Sequence, residues 1–380
     1  MKTIKKIPAI RFSGFTEEWE ERKAKEMIKT HHFRSYLAEP NDVGNYEVIQ
    51  QGDKPIAGYA NGEPFEYFYD VTLFGDHTVS LFKPTKPFFI ANDGVKIISA
   101  DEFDGRYFYV TLERYKPASQ GYKRHFTILK NEDIWFTTNK DEQVKIGTFF
   151  KQLDDTIALH QRKLDFLKEQ KKGYLQKMFP KNGAKVPELR FAGFADDWEE
   201  RKLSDISNVT KLAGFEFTKY VRYQESGKII ALRGLNVKNG ELVLDEVKYI
   251  DDSDFSKLNR SKLYKNDILL TYVGTVGELA IVPENDKYYL APNVARIRLQ
   301  EHVNSIFVCQ MMNDSNFYNR IISPLIATSS QPALSMENVR KFQLLMPDYQ
   351  EQEKIGSFFK QLDDTIALHQ RKLDLLKEQK

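Results

Sequence analysis

Polar and positively charged side chains gather in a few loop-like stretches of this chain, in a pattern that suits binding better than catalysis. In the first half these residues are His31, Arg34, Tyr36, Gln120, Tyr122, Lys123 and Arg124. In the second half they are Lys211, Arg222, Arg233, Asn236, Lys238, Tyr272, Gly274, Thr275, Ser330 and Gln331. Such groups donate and accept hydrogen bonds and attract anions, so they could contact a ligand. The alternative is that each is an ordinary surface side chain surrounded by water.

Motifs that mark common active sites are missing from the sequence. There is no phosphate-binding GxxxxGK[ST] loop, no HExxH pair and no Asn-Pro-Pro-aromatic motif. The single cysteine, Cys309, excludes a disulfide framework and cannot by itself build a zinc site. We therefore expect a non-catalytic protein without a cofactor or metal site, although scattered carboxylates leave a nuclease open as an alternative.

Length and charge narrow the class of protein further. A chain of 380 residues with 41% hydrophobic residues predicts two or three domains with real cores. The basic start is followed by no apolar run, and no stretch approaches the ~20 apolar residues that span a bilayer. We expect a soluble, cytoplasmic protein with no membrane partner. Because the net charge is only +2, any contact with nucleic acid must come from local patches.

Two nearly identical segments, Lys145–Lys171 and Lys354–Lys380, repeat at an offset of 209 residues (354 − 145) and differ at two of 27 positions. Positions spaced alternately by four and three residues are Ile146, Phe150, Leu153, Ile157, His160, Leu164, Leu167, Lys171, Tyr174 and Met178, then Ile355, Phe359, Leu362, Ile366, His369, Leu373 and Leu376. This heptad pattern predicts two long helices that pair through an apolar seam. One histidine of each copy falls at a seam position, where it could help to fix the register, but the favoured alternative is that both lie at the helix surface or bond to a neighbour, and we assign them no chemistry. The first helix should end near Gly173 or before Pro180.

A second repeat precedes each variable stretch. Ile7–Lys23 and Val186–Lys202 share their pattern at an offset of 179 residues (186 − 7), and we call these segments the entry motifs. Trp19 and Trp198 within them could stack on bases or anchor a core. Identical platforms would not distinguish two different targets, so we favour core anchors.

The regions between the repeats, about 28–141 and 207–349, differ in sequence. Their aromatic and β-branched runs predict strands separated by turns, and they include YEVIQ, FEYFYDVTLF, HTVSLF, PFFIA, VKIISA, RYFYVTL, KIIALRGL, ELVLDEVKYI, DILLTYVGTVGELAIV and VARIRLQ. A helix is expected around Val303–Arg320, where apolar residues recur at helical spacing. Neither region is strongly basic.

This layout resembles the specificity subunit of type I restriction–modification systems. The resemblance covers the whole chain and rests on the duplicated order and on PELRFAGFADDWEERKL (Pro187–Leu203), EQEKIGSFFKQLDDTIALHQRKLDLLKEQK (Glu351–Lys380) and GYLQKMFP (Gly173–Pro180). In the second variable region, DILLTYVGTVG and SSQPALSMENVRKFQLLMP match the family's strand–loop and terminal-helix segments. The first region carries QGYKRHFTILKNEDIWFTTN there, without the usual proline.

The resemblance implies an α+β fold with a pseudo-twofold internal repeat. Two mixed α/β target-recognition domains would be separated by two long conserved helices that pair as an antiparallel coiled coil. The expected divisions are a first target-recognition domain over 1–141, a first spacer helix over 142–180, a second target-recognition domain over 181–349 and a second spacer helix over 350–380. The second copy of the repeat reaches Lys380 where the first continues with KGYLQKMFP.

The resemblance also implies a function. The chain would bind double-stranded DNA and read a bipartite target, using the polar residues named above, since Gln suits the edge of adenine and Arg that of guanine. It would direct two methyltransferase subunits and the restriction/translocase subunits to that target. A coiled-coil DNA-binding scaffold or regulator that acts without a methyltransferase is the alternative.

Overall fold

The structure is a computed structural model that describes residues 7–121, 123–181, 183–327 and 331–380. Tyr122 and Ser330, both predicted to contact DNA, lie outside these described residues. The chain divides into two compact units. The first runs to Leu159 and includes Asp374–Lys380, and the second is His160–Leu373.

Strands dominate the variable part of the first unit. In chain order its elements are β1 (Glu20–Lys23), α1 (Ala24–Met27), β2 (Ile28–Thr30), a 3₁₀ turn (Arg34–Tyr36), β3 (Tyr46–Ile49), β4 (Ile56–Ala60), β5 (Thr72–Gly75), β6 (Leu81–Phe82), β7 (Phe88–Ile90), β8 (Val95–Ala100), α2 (Gly105–Tyr115), α3 (Phe126–Leu129) and β9 (Asp133–Phe136). They form a four-stranded antiparallel sheet β2-β8-β5-β6, a three-stranded sheet β4-β3-β7 with β3 and β7 parallel, and the pair β1-β9. Buried aromatic and aliphatic side chains fill the space between these sheets and α2.

The RYFYVTL run, predicted as a strand, is part of α2, so that prediction is wrong. Asp104 caps this helix, because its Oδ1 accepts hydrogen bonds from the backbone N–H groups of Arg106 and Tyr107 at 3.0 Å. Buried positions Tyr107, Phe108, Thr111 and Leu112 then follow the helical period. The aromatic and β-branched content indicated a strand, but a capped start and a packed helical face outweigh that propensity.

The second unit is built in the same way. In chain order its elements between the two long helices are β10 (Glu199–Lys202), α5 (Leu203–Ile206), β11 (Ser207–Lys211), α6 (Gly214–Tyr220), β12 (Ile230–Leu232), β13 (Val237–Lys238), β14 (Glu241–Leu242), β15 (Lys248–Tyr249), β16 (Ile268–Thr271), β17 (Leu279–Ile281), β18 (Tyr288–Leu290), β19 (Val294–Leu299), α7 (Ser305–Asn313), α8 (Ser315–Phe317), α9 (Met336–Arg340) and β20 (Gln343–Met346). Short 3₁₀ turns cover Gly234–Asn236, Phe255–Lys257, Asn259–Ser261 and Ser323–Leu325, and Tyr318–Ile322 is a π turn. The helix expected around Val303–Arg320 is therefore present, but it ends at Asn313 and continues as short turns.

The two variable regions share one topology although their sequences differ. The second unit has a four-stranded antiparallel sheet β11-β19-β16-β17, a three-stranded sheet β15-β12-β18 with β12 and β18 parallel, and the pair β10-β20. This order matches the first unit strand for strand. An additional small hairpin, β13-β14, accompanies β17. The internal repeat thus extends through regions where the sequence shows no repeat.

Two long helices carry the duplicated segment. The first, α4, spans Lys140–Met178, and the last, α10, spans Tyr349–Gln379. The first passes through Gly173 and ends before Pro180, as one of the two expected ends requires. No helix among the described residues is both long and apolar enough to cross a membrane.

The helices pair in antiparallel fashion, as the contacts inside the second unit show. His160 meets His369, Lys171 meets Asp363, and the ring of Tyr174 meets that of Phe358. Residue numbers rise on one helix as they fall on the other, which defines the antiparallel direction. The predicted seam positions Leu164 and Leu373 are both buried, so the heptad prediction is confirmed there.

Each entry motif is tied to the start of a long helix by the same ion pair. In the first unit Arg11 donates two hydrogen bonds to Glu142, at 2.6 and 2.8 Å. In the second unit Arg190 donates two to Glu351, both at 2.7 Å, and Trp198 Nε1 donates a third at 3.2 Å. Burial by itself would raise the pKa of Glu142, but hydrogen bonding, first of all from Arg11, and the positive charge of Arg11 together lower the pKa below its usual value. The buried Trp198 is therefore a core anchor.

Candidate nucleic-acid interface

Two loops of the first unit meet beside the C-terminal end of β5. One loop, residues 76–80, follows β5, and the other contains Gln120, Gly121, Lys123 and Arg124. His125 joins them: its Nδ1 donates to the carbonyl oxygen of Asp76 at 3.0 Å, and its Nε2 accepts from the backbone N–H of Gln120 at 2.9 Å. The side chain of His77 also contacts the carbonyl oxygen of Lys123 at 3.2 Å. The predicted basic loop is thus held in one place on the sheet.

His125 was not singled out from the sequence. It is fully buried, and both ring nitrogens are used within the protein. Its pairing with Asp76 joins residues 49 apart in the chain, which no local pattern could indicate. In the sequence, this site was indicated only by the polar residues around Gly121.

The other predicted residues of the first unit divide into packed and exposed ones. His31 Nε2 contacts Ser99 Oγ at 2.8 Å, and burial lowers the pKa of the ring. Tyr36 packs edge-on against Phe65 at 5.2 Å between ring centroids. Arg34, Gln120, Lys123 and Arg124 are exposed. The exposed residues can reach a ligand, whereas His31 and Tyr36 chiefly shape the surface that carries them.

The second unit repeats this loop arrangement. Tyr272–Gly277 follows β16, the counterpart of β5, and residues 331–334 lie beside it. The backbone N–H of Gly274 donates to the carbonyl oxygen of Pro332 at 3.0 Å, and Leu334 donates to that of Tyr272 at 2.8 Å. Gly274 has a φ of +82°, a conformation that favours glycine. The two loops that the sequence indicated separately therefore form one surface.

Two of the predicted residues beside this loop contact each other. The Lys211 ammonium lies over the ring of Tyr272, 5.0 Å from its centroid. Tyr272 is half-buried, and burial raises the pKa of its hydroxyl. Lys211, Gly274, Thr275 and Gln331 are exposed. The positive charge of Lys211 is thus held at the base of the paired loops.

A cleft of about 580 Å³ brings three predicted residues together in the second unit. Arg233, Lys238 and Thr275 all line it. The remaining lining residues are Tyr223, Gly234, Leu235, Val237, Val273, Glu278, Pro292 and Asn293. A guanidinium, an ammonium and a hydroxyl in one concave surface can hold a phosphate or the polar edge of a base.

Asn236 does not belong to the exposed surface, so we correct that prediction. The residue is fully buried, its Nδ2 donates to the carbonyl oxygens of Val243 and Glu246, and its Oδ1 accepts from the backbone of Arg233. A buried amide with its hydrogen bonds satisfied inside the protein has none left for a base. Asn236 instead fixes the turn that presents Arg233.

Arg222 and Arg233 differ in how their side chains are used. The guanidinium of Arg222 is exposed and donates to the neighbouring carbonyl oxygen of Val221, at 3.0 Å. That of Arg233 is half-buried and donates to the backbone and carboxylate of Glu246, at 3.1 and 3.3 Å. A ligand that binds Arg233 must therefore compete with Glu246, while Arg222 needs only to be reoriented.

Metal binding requires several ligating side chains in one place. Among residues 7–121, 123–181, 183–327 and 331–380, no group of three or more His, Cys, Asp or Glu side chains could hold a metal ion. Burial raises the pKa of the Cys309 thiol to about 12, so this residue is a core side chain rather than a thiolate nucleophile. The exposed side chains of these loops can recognise a ligand through ion pairs and hydrogen bonds.

Comparison with known proteins shows which proteins this chain resembles. The model of the type I restriction modification DNA specificity domain matches residues 16–169 and again residues 195–378. The type I restriction enzyme MjaVIII specificity subunit of Methanocaldococcus jannaschii is 21% identical over 249 residues, which are 63% of this chain and 57% of that protein. The EcoBI specificity subunit of Escherichia coli is 25% identical over 167 residues, 44% of this chain and 35% of that protein.

A solved structure supports the fold at low sequence identity. The S subunit of a type I restriction–modification system from M. genitalium covers 99% of this chain and 96% of its own, with a TM-score of 0.64 and 14% identity. The alignments with the two curated relatives reach at most 57% of their length. Both halves of the chain match the family model, and together the matches cover most of its length. The resemblance inferred from the repeats is therefore confirmed: the chain belongs to the type I restriction modification DNA specificity domain family.

Proposed function

We propose that this chain is a sequence-specific DNA-binding subunit that reads a bipartite target and directs methyltransferase and restriction subunits to it. The observation that carries the proposal is the repeat of one topology with two different sets of exposed loop residues. Each unit presents a pair of loops at the same place on its four-stranded sheet, and the residues on those loops differ. One fold used twice with different surface chemistry suits the reading of two different half-sites.

We assign a separate role to each of the four segments that the sequence predicts. Residues 1–141 and 181–349 would be the target-recognition domains, and 142–180 and 350–380 the spacer helices. Both long helices carry the same segment with only two differences, which suits a structural element that contacts one kind of partner twice. At 1.5 Å per residue, a helix of ~30 residues is ~45 Å long, comparable with the ~34–36 Å between successive major-groove faces.

Within the recognition domains, the exposed candidates are proposed as contacts. Cations at Arg34, Lys123, Arg124, Lys211 and Lys238 would bind phosphates and supply most of the sequence-independent affinity. The polar groups of Gln120, Thr275 and Gln331 would contact base edges or sugars. Catalysis would belong to the partner subunits, which is consistent with the recognition chemistry of these loops.

Repeated surfaces on the long helices support two copies of one partner. Leu159 on α4 and Leu368 on α10 occupy equivalent positions (368 − 159 = 209), and both are large apolar side chains exposed to solvent. Phe166 and Leu375 form a second equivalent pair and are also exposed. The Lys151–Asp155 and Lys360–Asp364 ion pairs repeat as well. Near-identity at such positions exceeds what a seam requires, so we propose that each helix docks one methyltransferase subunit.

An exchange of one recognition region tests the proposal. Residues 28–141 would be replaced by the corresponding region of another family member, and the methylated motif would be read by methylome sequencing in cells that supply the partner subunits. One half of the motif should change while the other half and the spacer stay constant. The matched control exchanges 207–349 and should change the opposite half. If both halves change, or neither does, the proposal is wrong.

A further inference from the structure

A run of positive charge lies directly before β16 in the second unit. The segment Lys257–Lys265 reads KLNRSKLYK and contains four Lys or Arg residues and no Asp or Glu. We call it the basic segment. It includes the 3₁₀ turn Asn259–Ser261 and leads into the central strand of the sheet. Three of its cations are presented to solvent, and they are Lys257, Arg260 and Lys265.

Two arginines of β19 hold the backbone of the basic segment. Arg296 is 6% exposed, and its Nη1 donates to the carbonyl oxygens of Arg260 at 3.2 Å and of Lys262 at 3.4 Å. Arg298 Nη2 donates to the same carbonyl oxygen of Lys262 at 3.3 Å. Because these arginines bind backbone carbonyls, the segment is held in place without using the side chains of its three exposed cations.

Arg296 also places a buried positive charge beneath the segment. Its hydrogen bonds go to neutral acceptors, which are the two carbonyls and Asn208 Oδ1 at 3.0 Å. Its Nε is buried and has no hydrogen-bond partner among the described residues. Burial and the positive charge of Arg298 lower the pKa of Arg296. A guanidinium stays protonated even so, because its usual pKa is above 12, and its charge favours an anion at the surface above it.

Ion pairs neutralise only part of this charge. Lys262 pairs with Asp286 at 2.7 Å, and Arg298 pairs with Asp267 at 2.7 Å. In the part of the chain that the structure describes, Arg296 and the three exposed cations of the basic segment have no carboxylate partner within 4.0 Å. The surface before β16 therefore carries a local excess of positive charge, although the whole chain has a net charge of only +2.

The side chains between these cations suit a phosphate better than a protein surface. Leu258 and Leu263 are buried, so they offer no apolar contact. Tyr264 is 41% exposed, and its ring lies between Arg298 at 4.5 Å and Lys262 at 5.4 Å. Protein interfaces have an apolar core, whereas cations with a hydroxyl beside them are typical of contacts to a nucleic-acid backbone.

The first unit carries the opposite charge at the corresponding place. The segment Glu63–Asp70 lies before β5 as the basic segment lies before β16, and it reads EPFEYFYD, with three carboxylates and no Lys or Arg. Its Tyr67 and Tyr69 are 77% and 73% exposed. One topology thus accepts either sign of charge here, so the fold itself does not require the cations of the second unit.

We propose that the basic segment binds the sugar–phosphate backbone of duplex DNA beside the half-site that the second unit reads, an inference that rests on the proposed recognition function. The segment and the loop Tyr272–Gly277 lie at opposite ends of β16, a strand of four residues or about 13 Å. That distance is shorter than one turn of the duplex, ~34 Å, so one DNA molecule can reach both. The segment would add affinity without adding sequence information.

The test measures binding of the full chain to a duplex that carries its methylated motif, by fluorescence anisotropy. Lys257→Ala, Arg260→Ala and Lys265→Ala together should weaken binding at least about 10-fold at about 0.1 M salt. They should also reduce the salt slope of log K by about 3, since each lost phosphate contact removes about one unit. The charge-preserving variant Lys257→Arg, Arg260→Lys and Lys265→Arg should bind as the wild type does. An unchanged affinity and salt slope in the alanine variant would overturn the proposal.

Neutral methylphosphonate linkages, placed one at a time around the half-site of the second unit, locate the contact on the DNA. At least one linkage should weaken binding by the wild type and leave binding by the alanine variant unchanged, because the contact that it removes is already lost. If every linkage affects both proteins equally, the basic segment does not touch the backbone and the proposal is wrong.

A control variant removes the same number of charges from the first unit. Lys25→Ala, Arg114→Ala and Lys116→Ala change exposed cations outside the loops proposed to contact DNA and should leave affinity and salt slope unchanged. An equal loss in both variants would mean that general positive charge attracts DNA, against the proposal. So would an alanine variant of the basic segment that binds DNA normally but loses a methyltransferase subunit in native mass spectrometry.

The wild type separates failure of this inference from failure of the recognition function. A wild-type chain that binds no duplex would overturn both. A wild type that binds its motif, together with an alanine variant that binds it equally well, would overturn only the role of the basic segment.

Discussion

At the scale of single residues, buried polar groups shape the surface that exposed ones would use. His125 ties the Gln120–Arg124 loop to Asp76, and Asn236 fixes the turn beneath Arg233. Both are fully buried, so neither is free to contact a ligand. A buried polar group that loses its partner costs about 1–3 kcal/mol. Substitution of either residue would therefore impair binding only indirectly, through the loop it holds.

Lys238 offers the most direct test of the cleft in the second unit. It lies on β13, is exposed and lines the cleft with Arg233 and Thr275. If it binds a phosphate, Lys238→Ala should weaken DNA binding about equally for all sequences and reduce the salt slope of log K by about 1. Fluorescence anisotropy over a series of salt concentrations measures both quantities.

The matched control is Lys228→Ala. Lys228 is also exposed but precedes β12, whereas Arg233 follows it, so the three residues of that strand, about 10 Å, lie between them. This variant should leave affinity and salt slope unchanged. An equal effect of both substitutions would mean that general positive charge, and not the cleft, attracts DNA.

At the scale of elements, the two long helices meet through the same residue of each copy. His160 Nδ1 and His369 Nδ1 are 3.3 Å apart, which requires one ring to donate and the other to accept. Burial lowers the pKa of His160, and the positive charges of Lys372 and of a protonated His369 lower it further. The neutral form of His160 therefore suits the helix pair, and protonation of His160 opposes it.

The helix pair should lose stability as the pH falls below about 6.5, the ordinary pKa of histidine. Because the folded pKa of His160 is lowered, the unfolded chain binds the proton first, so the contribution is present above pH 6.5 and is lost toward the folded pKa. Thermal unfolding followed by circular dichroism between pH 8 and 5.5 would measure this. His160→Leu with His369→Leu should flatten the curve, whereas exposed His302→Gln should not. An unchanged pH dependence in the double variant would exclude the pair as its source.

The length of the helices should set the unread spacer of the target. Four residues inserted after His160 and four after His369 would lengthen both helices by about 6 Å. Since those residues contact each other, equal insertions keep the two helices aligned along their axes, while the four added residues form a stutter that locally unwinds the coiled coil. The methylated motif should then gain one or two base pairs of spacer, as methylome sequencing would show. Four residues inserted after Gly52, where an added Cβ atom would meet no other atom within 4 Å, should leave the spacer as it was.

At the scale of the whole molecule, one fold occurs twice around one repeated helix. The strand orders β2-β8-β5-β6 and β11-β19-β16-β17 are the same, and each entry motif binds its helix through the same Arg–Glu pair. Duplicated architecture produces duplicated surfaces, whether or not the recognition loops agree. A partner that recognises the helices should therefore find two equivalent sites.

We expect one chain to bind two methyltransferase subunits, which native mass spectrometry would count. Leu159→Glu places a charge in one proposed docking face and Leu368→Glu in the other, because both side chains are exposed. Each single substitution should leave one partner bound, and the double substitution none. A wild-type chain that binds a single partner at saturation would contradict two equivalent faces. So would a double variant that still binds two.

The sequence by itself determined everything that depends on periodicity or on a copied segment. The heptad seam predicted both long helices, and residues such as Leu164 and Leu373 are buried as it requires. The entry motifs and their tryptophans predicted anchors, and Trp198 is one. The family resemblance rested on the same repeats. These features are local along the chain or compare one stretch with another, so the sequence alone contains them.

Tertiary structure decided the features that depend on contacts between distant residues. Only the fold revealed that the two dissimilar regions share a topology, because many sequences satisfy the same pattern of buried strands. Only the fold buried Asn236 and joined His125 to Asp76. Which polar side chains remain exposed is settled by packing, and packing is a property of the folded chain as a whole.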